Sequence, residues 1–282
     1  MRSPRQQPAS PAKGRLRLPW RDLLDILALG TWSAMLFRYW ASDLLLLLLH
    51  PNYAWLSNSA AIVLALLALY KLGEVIQSLR ASWAQSARAK ANSSSDNGGH
   101  VALLPRNLSS AVLLSIAVFG LIYTPRAFAS QTAVQRGIAD TLTLTRTQPQ
   151  RFARASAPEE RTIIDWIRLV NVYPEPDAYT DEAVEVEGFV IYPESWPEGY
   201  LMVSRFVLTC CAADAYPVGL PVKLSPESLQ ENSAEDGKPY PVDTWLSVKG
   251  RVATDTLDGL RQIAIAPTDI QIIEEPKNPY EY

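Results

Sequence analysis

Two periodicities divide this chain. Before about residue 125 the apolar positions run together, and after about residue 183 they alternate with polar ones. From Leu44 to Tyr70 there is no Lys, Arg, Asp or Glu, and Ala60 to Tyr70 is wholly apolar. A hydrocarbon layer about 30 Å thick requires roughly 20 mostly apolar helical residues, because every backbone N–H and C=O must be satisfied inside the segment. Three windows approach that condition: about 23–48, about 55–76 and about 108–124. Asp25 and Arg38 stand near the ends of the first, within reach of the interface by snorkelling. The six leucines Leu44 to Leu49 either prolong this first helix or lie at the interface before His50-Pro51.

The rest of the chain reads differently. Residues 125–158 are rich in Thr, Gln, Arg and Ala with little apolar periodicity, which predicts a linker or a loosely helical stalk. Ile163, Ile164, Ile167 and Val170 recur at helical spacing, with Asp165 and Arg168 turned away, so the pattern predicts a short amphipathic helix that Pro174 and Pro176 stop. From Ala183 the period becomes two. Strands are expected near Val184–Tyr192, Tyr200–Thr209, Pro221–Leu224, Thr244–Ala253 and Gln262–Ala266, with Asp269–Ile273 a sixth or a continuation. Gly188 and Gly250 fall inside two of these, and a glycine within a strand marks a bulge or the tight bend that a small barrel needs to close. About five short strands suggest a barrel of the OB type. The expected fold class is thus an α+β membrane protein: about three N-terminal transmembrane helices, then a small OB-like β-barrel domain with a short amphipathic helix.

Charge orients this arrangement. The tail 1–22 carries Arg2, Arg5, Lys13, Arg15, Arg17 and Arg21, and the polar loop 77–107 carries Arg80, Arg88, Lys90 and Arg106, whereas the connection between the first two spans has no Lys or Arg. The positive-inside rule keeps the tail and the polar loop in the cytoplasm, so three crossings of region 23–124 deliver residues 125–158 and the domain 159–282 to the extracytoplasmic side of a bacterial-type inner membrane. Arg106, the apolar run after it and Ala127-Phe128-Ala129 imitate a secretory signal, but they follow two strong spans, so the anchor is expected to stay attached. From Pro125 onward there are 14 Lys plus Arg against 24 Asp plus Glu, a formal balance of −10. Binding to nucleic acid rests on cationic neutralisation of phosphates, which excludes it as a partner despite the OB-like pattern.

Candidate chemistry is sparse. The two cysteines, Cys210 and Cys211, are adjacent in Thr209-Cys-Cys-Ala-Ala-Asp-Ala215. Neighbouring Cα atoms stand about 3.8 Å apart, below the roughly 4.4 Å where disulfides begin, so a bond between them would be strained. Three readings remain open: both thiols pack as small hydrophobes, one on each face of a strand; Cys210, Cys211 and Asp214 form part of a site for a soft metal ion such as zinc; or the pair is a redox dithiol, which would need a lowered pKa. Of the two histidines, His100 lies in the polar loop, whereas His50 falls on the expected side of the cysteines, where it either ends a helix at the interface or joins a metal site. No phosphate-cradling loop, nucleophile–base pair or cofactor motif is recognisable, so catalytic residues are not assigned and an enzyme is not expected.

Tyr173-Pro-Glu-Pro-Asp-Ala-Tyr179, Val186-Glu-Gly-Phe-Val190, Val248-Lys-Gly-Arg-Val252 and above all Arg205-Phe-Val-Leu-Thr-Cys-Cys-Ala-Ala-Asp-Ala215, after spans joined through a His-Pro, resemble the YcgQ-like family of permease subunits. The resemblance implies a membrane component that works with a separate multi-span permease, with a suggested link to metal handling, and it singles out His50, Cys210, Cys211 and Asp214. The function expected is therefore a membrane-anchored accessory subunit of a transport system, partnered by a multi-span permease in the lipid bilayer, with an extracytoplasmic barrel that binds or gates at the permease. The alternatives are a stand-alone extracytoplasmic thiol- or metal-binding sensor and a purely structural membrane protein.

Overall fold

The computed structural model describes residues 20–85, 106–138, 157–226 and 238–282. Most of the basic tail 1–22, most of the polar loop 77–107 with His100, and the part of the expected linker from 139 to 156 lie outside the described residues. The chain divides into two compact units, Met1–Arg38 with Leu56–Thr124, and Tyr39–Trp55 with Pro125–Tyr282.

The helices α1 (Trp20–Ala41), α2 (Pro51–Gln85) and α3 (Arg106–Ile122) coincide with the three apolar windows. Among the described residues one helix is long and apolar enough to cross a membrane: the 31 residues Pro51–Ala81 of α2, with mean hydropathy 1.9 and 11% of the most apolar stretch buried. The other two windows do not match it. Helix α3 has 17 residues, its apolar part being Leu108–Ile122, and α1 carries Asp22, Asp25 and Arg38 within its length. Those charges are held by neighbours and do not simply snorkel: Ser110 donates to Asp25, and Arg38 donates to the Leu121 carbonyl. The Trp32 indole N–H reaches the Leu113 carbonyl at 2.9 Å and Ser33 the Ala61 carbonyl at 2.8 Å, so α1 is hydrogen-bonded to both α3 and α2. Meanwhile Leu66, Leu69, Tyr70, Phe119 and Ile122 are each more than 60% exposed, a bare apolar surface that water does not favour.

The leucine run does not prolong α1. Asp43 adopts a left-handed conformation with φ 57°, and Leu44–Leu47 form a 3₁₀ turn. Leu49 then makes an antiparallel bridge to Cys211.

In the second unit, strands β1 (Ala183–Ile191), β2 (Tyr200–Val207), β3 (Tyr216–Lys223), β4 (Trp245–Leu257) and β5 (Leu260–Ile273) follow the order β1-β4-β5-β3-β2, and β1 also pairs with β2. The sheet thereby closes into a five-stranded barrel, and the fold is α+β. A short β6 (Tyr280–Glu281) adds in parallel to β2. The run Asp269–Ile273 is a continuation of β5, paired with β4 throughout.

Both strand glycines meet the expectation. The register shifts between Lys249 and Gly250, and a Cβ on Gly188 would stand 2.5 Å from the Ser204 carbonyl oxygen of β2. Strand β3 begins five residues before the Pro221 expected, because Pro217, Gly219 and Pro221 read as turn residues in sequence. The strand tolerates them since it shares with β5 only the pairing Val222↔Ile265, so most of one edge needs no N–H.

Helix α5 (Ile163–Val172) places Ile163, Ile164, Trp166 and Ile167 in the barrel core with Val203, Val218, Leu220 and Leu246. It starts at a capping box in which Thr162 and Asp165 exchange hydrogen bonds. A second cluster joins Phe189, Ile191, Met202, Phe206 and Trp245 to Ala133 and Ile138 on the outer side of the wall. Ala133 belongs to α4 (Ser130–Gln135), so the described part of the stretch expected to be a linker is packed on the barrel. Its small and polar residues hide this in sequence, because Phe128, Ala133 and Ile138 supply the apolar contact among the described residues.

Candidate functional site

The cysteines lie beyond the end of β2, in its connection to β3. Phe206, Val207 and Leu208 are each 1% exposed, and the Leu208 N–H donates to the Glu281 carbonyl at 3.0 Å, so the barrel wall grips the chain up to that point. From Thr209 the backbone leaves the wall and returns at Ala215, which is buried again. The thiols stand outside the buried core: Cys210 is exposed and Cys211 half-buried, and both are free.

Asp214 holds this turn together. Its Oδ2 accepts from the Thr209 hydroxyl and from the Cys210 N–H at 2.8 Å, and its Oδ1 accepts from the Cys211 N–H at 3.1 Å. The Asp214 N–H in turn donates to the Cys211 carbonyl at 3.1 Å. Partial burial would raise the Asp214 pKa, but the hydrogen bonds from Thr209, Cys210 and Cys211 outweigh it and bring the carboxyl down to about 2. From the other side Arg136, at the end of α4, donates to the carbonyls of Ala212 and Ala215 while stacking 4.7 Å over the Phe128 ring.

A second strap comes from the connection between α1 and α2. The Ala212 N–H donates to the Leu48 carbonyl at 2.9 Å and the His50 N–H to the Cys210 carbonyl at 3.1 Å, on either side of the Leu49–Cys211 bridge. The imidazole of His50 serves elsewhere. Its Nδ1 accepts from the Asn52 N–H at 3.0 Å, so His50 is the N-cap of α2 with Pro51 at the first helical position, and its ring stands edge-on to Tyr282 at 4.5 Å. The structure thus brings the backbone of His50 to the cysteines, while among the described residues the potential ligand atoms that gather are those of Cys210, Cys211 and Asp214, within 4.8 Å of one another.

The two sulfurs are 3.7 Å apart. Two thiolates bound at about 2.3 Å to one tetrahedral ion stand roughly 3.8 Å from each other, so the pair is spaced as ligands of a soft cation. The Oδ1 of Asp214 accepts one N–H, from Cys211, among the described residues, and a carboxylate oxygen has a second lone pair beyond that. Without a cation Cys210 is a poor nucleophile: the neighbouring Asp214 carboxylate, and after it the Cys211 thiol, push it up to about 11. That opposes the redox-dithiol reading, which needs a lowered pKa, and leaves room for a metal ion, whose own charge drives thiol deprotonation.

Sequence reasoning found the cysteines and Asp214 but missed Arg136 and Glu281. Glu281 is 5% exposed; it accepts from the N–H groups of Ile163 at 3.3 Å and Ile164 at 2.7 Å and stands 3.9 Å from Arg205. No local signal connects it to a helix start so far away in sequence.

Fold and site together define a small closed barrel, clasped by its own C-terminal strand and carrying an exposed vicinal dithiol on a stapled turn. Residues 163–282 match the DUF1980 C-terminal domain, a stretch that takes in α5, all six strands and the cysteine turn. No curated protein and no solved structure matches the chain.

Proposed function

We propose that this chain is a membrane-anchored accessory subunit of a transport system, whose barrel presents Cys210 and Cys211 to a soft metal ion such as zinc at the outer mouth of a multi-span permease. The role is binding, without catalysis. The observation that carries the reading is the placement of two free thiols 3.7 Å apart, outside the core, on a turn that Asp214 and Arg136 hold from both sides. A turn that served packing alone would bury its sulfurs.

In this reading α1, α2 and α3 all cross the bilayer. The polar contacts of α1 with α2 and α3 would shelter its charges, and the exposed apolar faces of α2 and α3 would meet lipid or a partner helix. The strand order with β1 closing on β2 supports an OB-type barrel. The acidic surface supports an inorganic or peptide partner over nucleic acid. The connection between α1 and α2 carries no Lys or Arg and is hydrogen-bonded to the cysteine turn, which supports a shared extracytoplasmic location for both.

The test is a zinc titration of the full chain in detergent, alongside Cys210→Ser with Cys211→Ser, and co-purification from mild detergent. The wild type should hold one ion per barrel that the double variant loses, and a multi-span partner should be recovered. Metal bound without any partner would favour a stand-alone sensor. Neither metal nor partner would sink the proposal.

A further inference from the structure

A second concavity opens in the barrel domain, built from the β1–β2 connection and the segments flanking β3 and β4. It has a volume of about 510 Å³ and is lined by Tyr192, Trp196 and Tyr200, with Glu194, Glu198 and Lys238 among its other residues. That volume lies in the range of small-molecule sites. The cleft is formed by other residues than the cysteine turn.

The three aromatic residues recur every fourth position, and each has its polar atom tied to the barrel. The Tyr192 hydroxyl donates to the Tyr240 carbonyl at 2.9 Å, the Trp196 indole N–H donates to Asp258 at 2.8 Å, and the Tyr200 hydroxyl donates to Asp255. These bonds commit the polar atoms of all three residues to the barrel, so what each ring has left for a ligand in the cleft is its aromatic surface. An aromatic face carries negative potential and attracts ammonium groups. Two ammonium groups of this chain already do so: the Lys238 Nζ lies 4.8 Å from the Tyr192 ring centre and the Lys223 Nζ 5.7 Å from that of Tyr200.

The two lysines are not equivalent. Lys223 is also paired with Asp255 at 2.7 Å and is committed to the barrel. Lys238 is exposed, and among the described residues its contact is with the face of the Tyr192 ring and no carboxylate. Glu194 and Glu198 are exposed at the rim, and neither enters an ion pair with a described residue. The cleft therefore combines anchored rings, two unneutralised carboxylates, and one displaceable ammonium that shows what the site accepts.

We propose that this cleft binds a small organic ammonium ion on the rings of Tyr192, Trp196 and Tyr200, with Glu194 and Glu198 supplying the counter-charge and Lys238 as the internal occupant that the ligand displaces. Rings select the cation by its low hydration, so a quaternary ammonium is favoured over a strongly hydrated primary amine or a metal ion. The inference stands apart from the thiol reading, and neither depends on the other.

The test uses the full chain in detergent, with choline as the probe and its uncharged carbon isostere 3,3-dimethylbutan-1-ol as the control, followed by calorimetry and saturation-transfer NMR. Choline should bind measurably better than the isostere. Lys238→Ala should tighten choline several-fold by removing the competitor, and Trp196→Ala should weaken it about tenfold, in line with one desolvated cation–ring contact. Glu194→Gln with Glu198→Gln should weaken it about threefold and flatten its salt dependence. Because Trp196 also packs on the outer cluster, the Lys238 and glutamate variants, all at exposed positions, keep the test valid if Trp196→Ala does not fold. Equal binding of choline and isostere, or weaker choline binding by Lys238→Ala, would overturn the proposal.

Discussion

Replacing Glu281 by Ala removes, in one step, the acceptors for two buried N–H donors at the start of α5 and the partner of Arg205. The Ile163 and Ile164 amides reach its carboxyl at 3.3 and 2.7 Å, and Arg205 approaches at 3.9 Å. A buried donor left unmade costs about 1–3 kcal/mol, and stripping one partner from a buried ion pair costs about 3–5 kcal/mol. These losses overlap, because all fall on one carboxyl, so the expected destabilisation is about 3–5 kcal/mol, a large share of the roughly 5–15 kcal/mol that holds a domain folded. Glu281→Gln keeps one acceptor oxygen and should lose about half as much.

The pH dependence has a definite sign. Burial raises the Glu281 pKa above its ordinary 4.5, only partly countered by the Ile164 N–H and Arg205. The folded state therefore holds the proton more tightly than the unfolded chain. The linked stability is complete below about 4.5 and is lost as pH rises through the raised folded value. Urea denaturation of the full chain in detergent, with deuterium exchange read at residues 163–172, measures both effects. A Glu281→Ala protein within 1 kcal/mol of wild type, or a wild-type advantage over Glu281→Gln that grows with rising pH, would refute the reasoning.

Four further outcomes are expected. Gly250→Ala places a Cβ against the Ala266 carbonyl and 2.9 Å from the Pro267 Cα, so it should cost about 1–3 kcal/mol in the same denaturation assay, whereas Gly259→Ala meets nothing within 4 Å and should cost only the strain of its φ of 74°, about 1 kcal/mol. Asp214→Asn withdraws the charge that raises the Cys210 thiol. Iodoacetamide should then modify Cys210 of the metal-free chain about tenfold faster at pH 7, as read by peptide mass spectrometry, since a larger thiolate fraction outweighs its lower nucleophilicity. In the wild type the Asp214 carboxyl sits at about 2, below its ordinary 3.8, so its hold on the turn persists above 3.8 and fades as pH falls through 2; the NMR chemical shifts of the Cys210 and Cys211 amides, which donate to it, should follow that course. His50→Ala should remove an N-cap, loosening the first turn of α2 by about 1 kcal/mol in deuterium exchange, while leaving zinc affinity within about twofold.

Much of this architecture is local in origin and so was legible beforehand. The apolar windows gave α1, α2 and α3, and the amphipathic spacing of Ile163, Ile164 and Ile167 gave α5. The alternation after Ala183 gave the strands, and Gly188 and Gly250 marked the places where backbone comes too close for a Cβ. In β3, Pro217 and Pro221 carry a turn signal that a nearly unpaired edge makes harmless. The adjacent cysteines and Asp214 were visible because their interaction spans only a few residues.

Composition and periodicity by themselves thus determined an apolar helical half, an acidic β half and a vicinal thiol pair that cannot be an ordinary staple. Tertiary structure alone decided that the thiols leave the wall, that His50 caps a helix with its ring, that residues around Ala133 cover the outer face of the barrel, and that Glu281 closes the start of α5. The physical reason is range: helix and strand preferences act between residues a few positions apart, whereas a covered sheet face takes its partners from distant segments and the buried carboxyl of Glu281 takes its own from more than a hundred residues away, for which no local pattern exists.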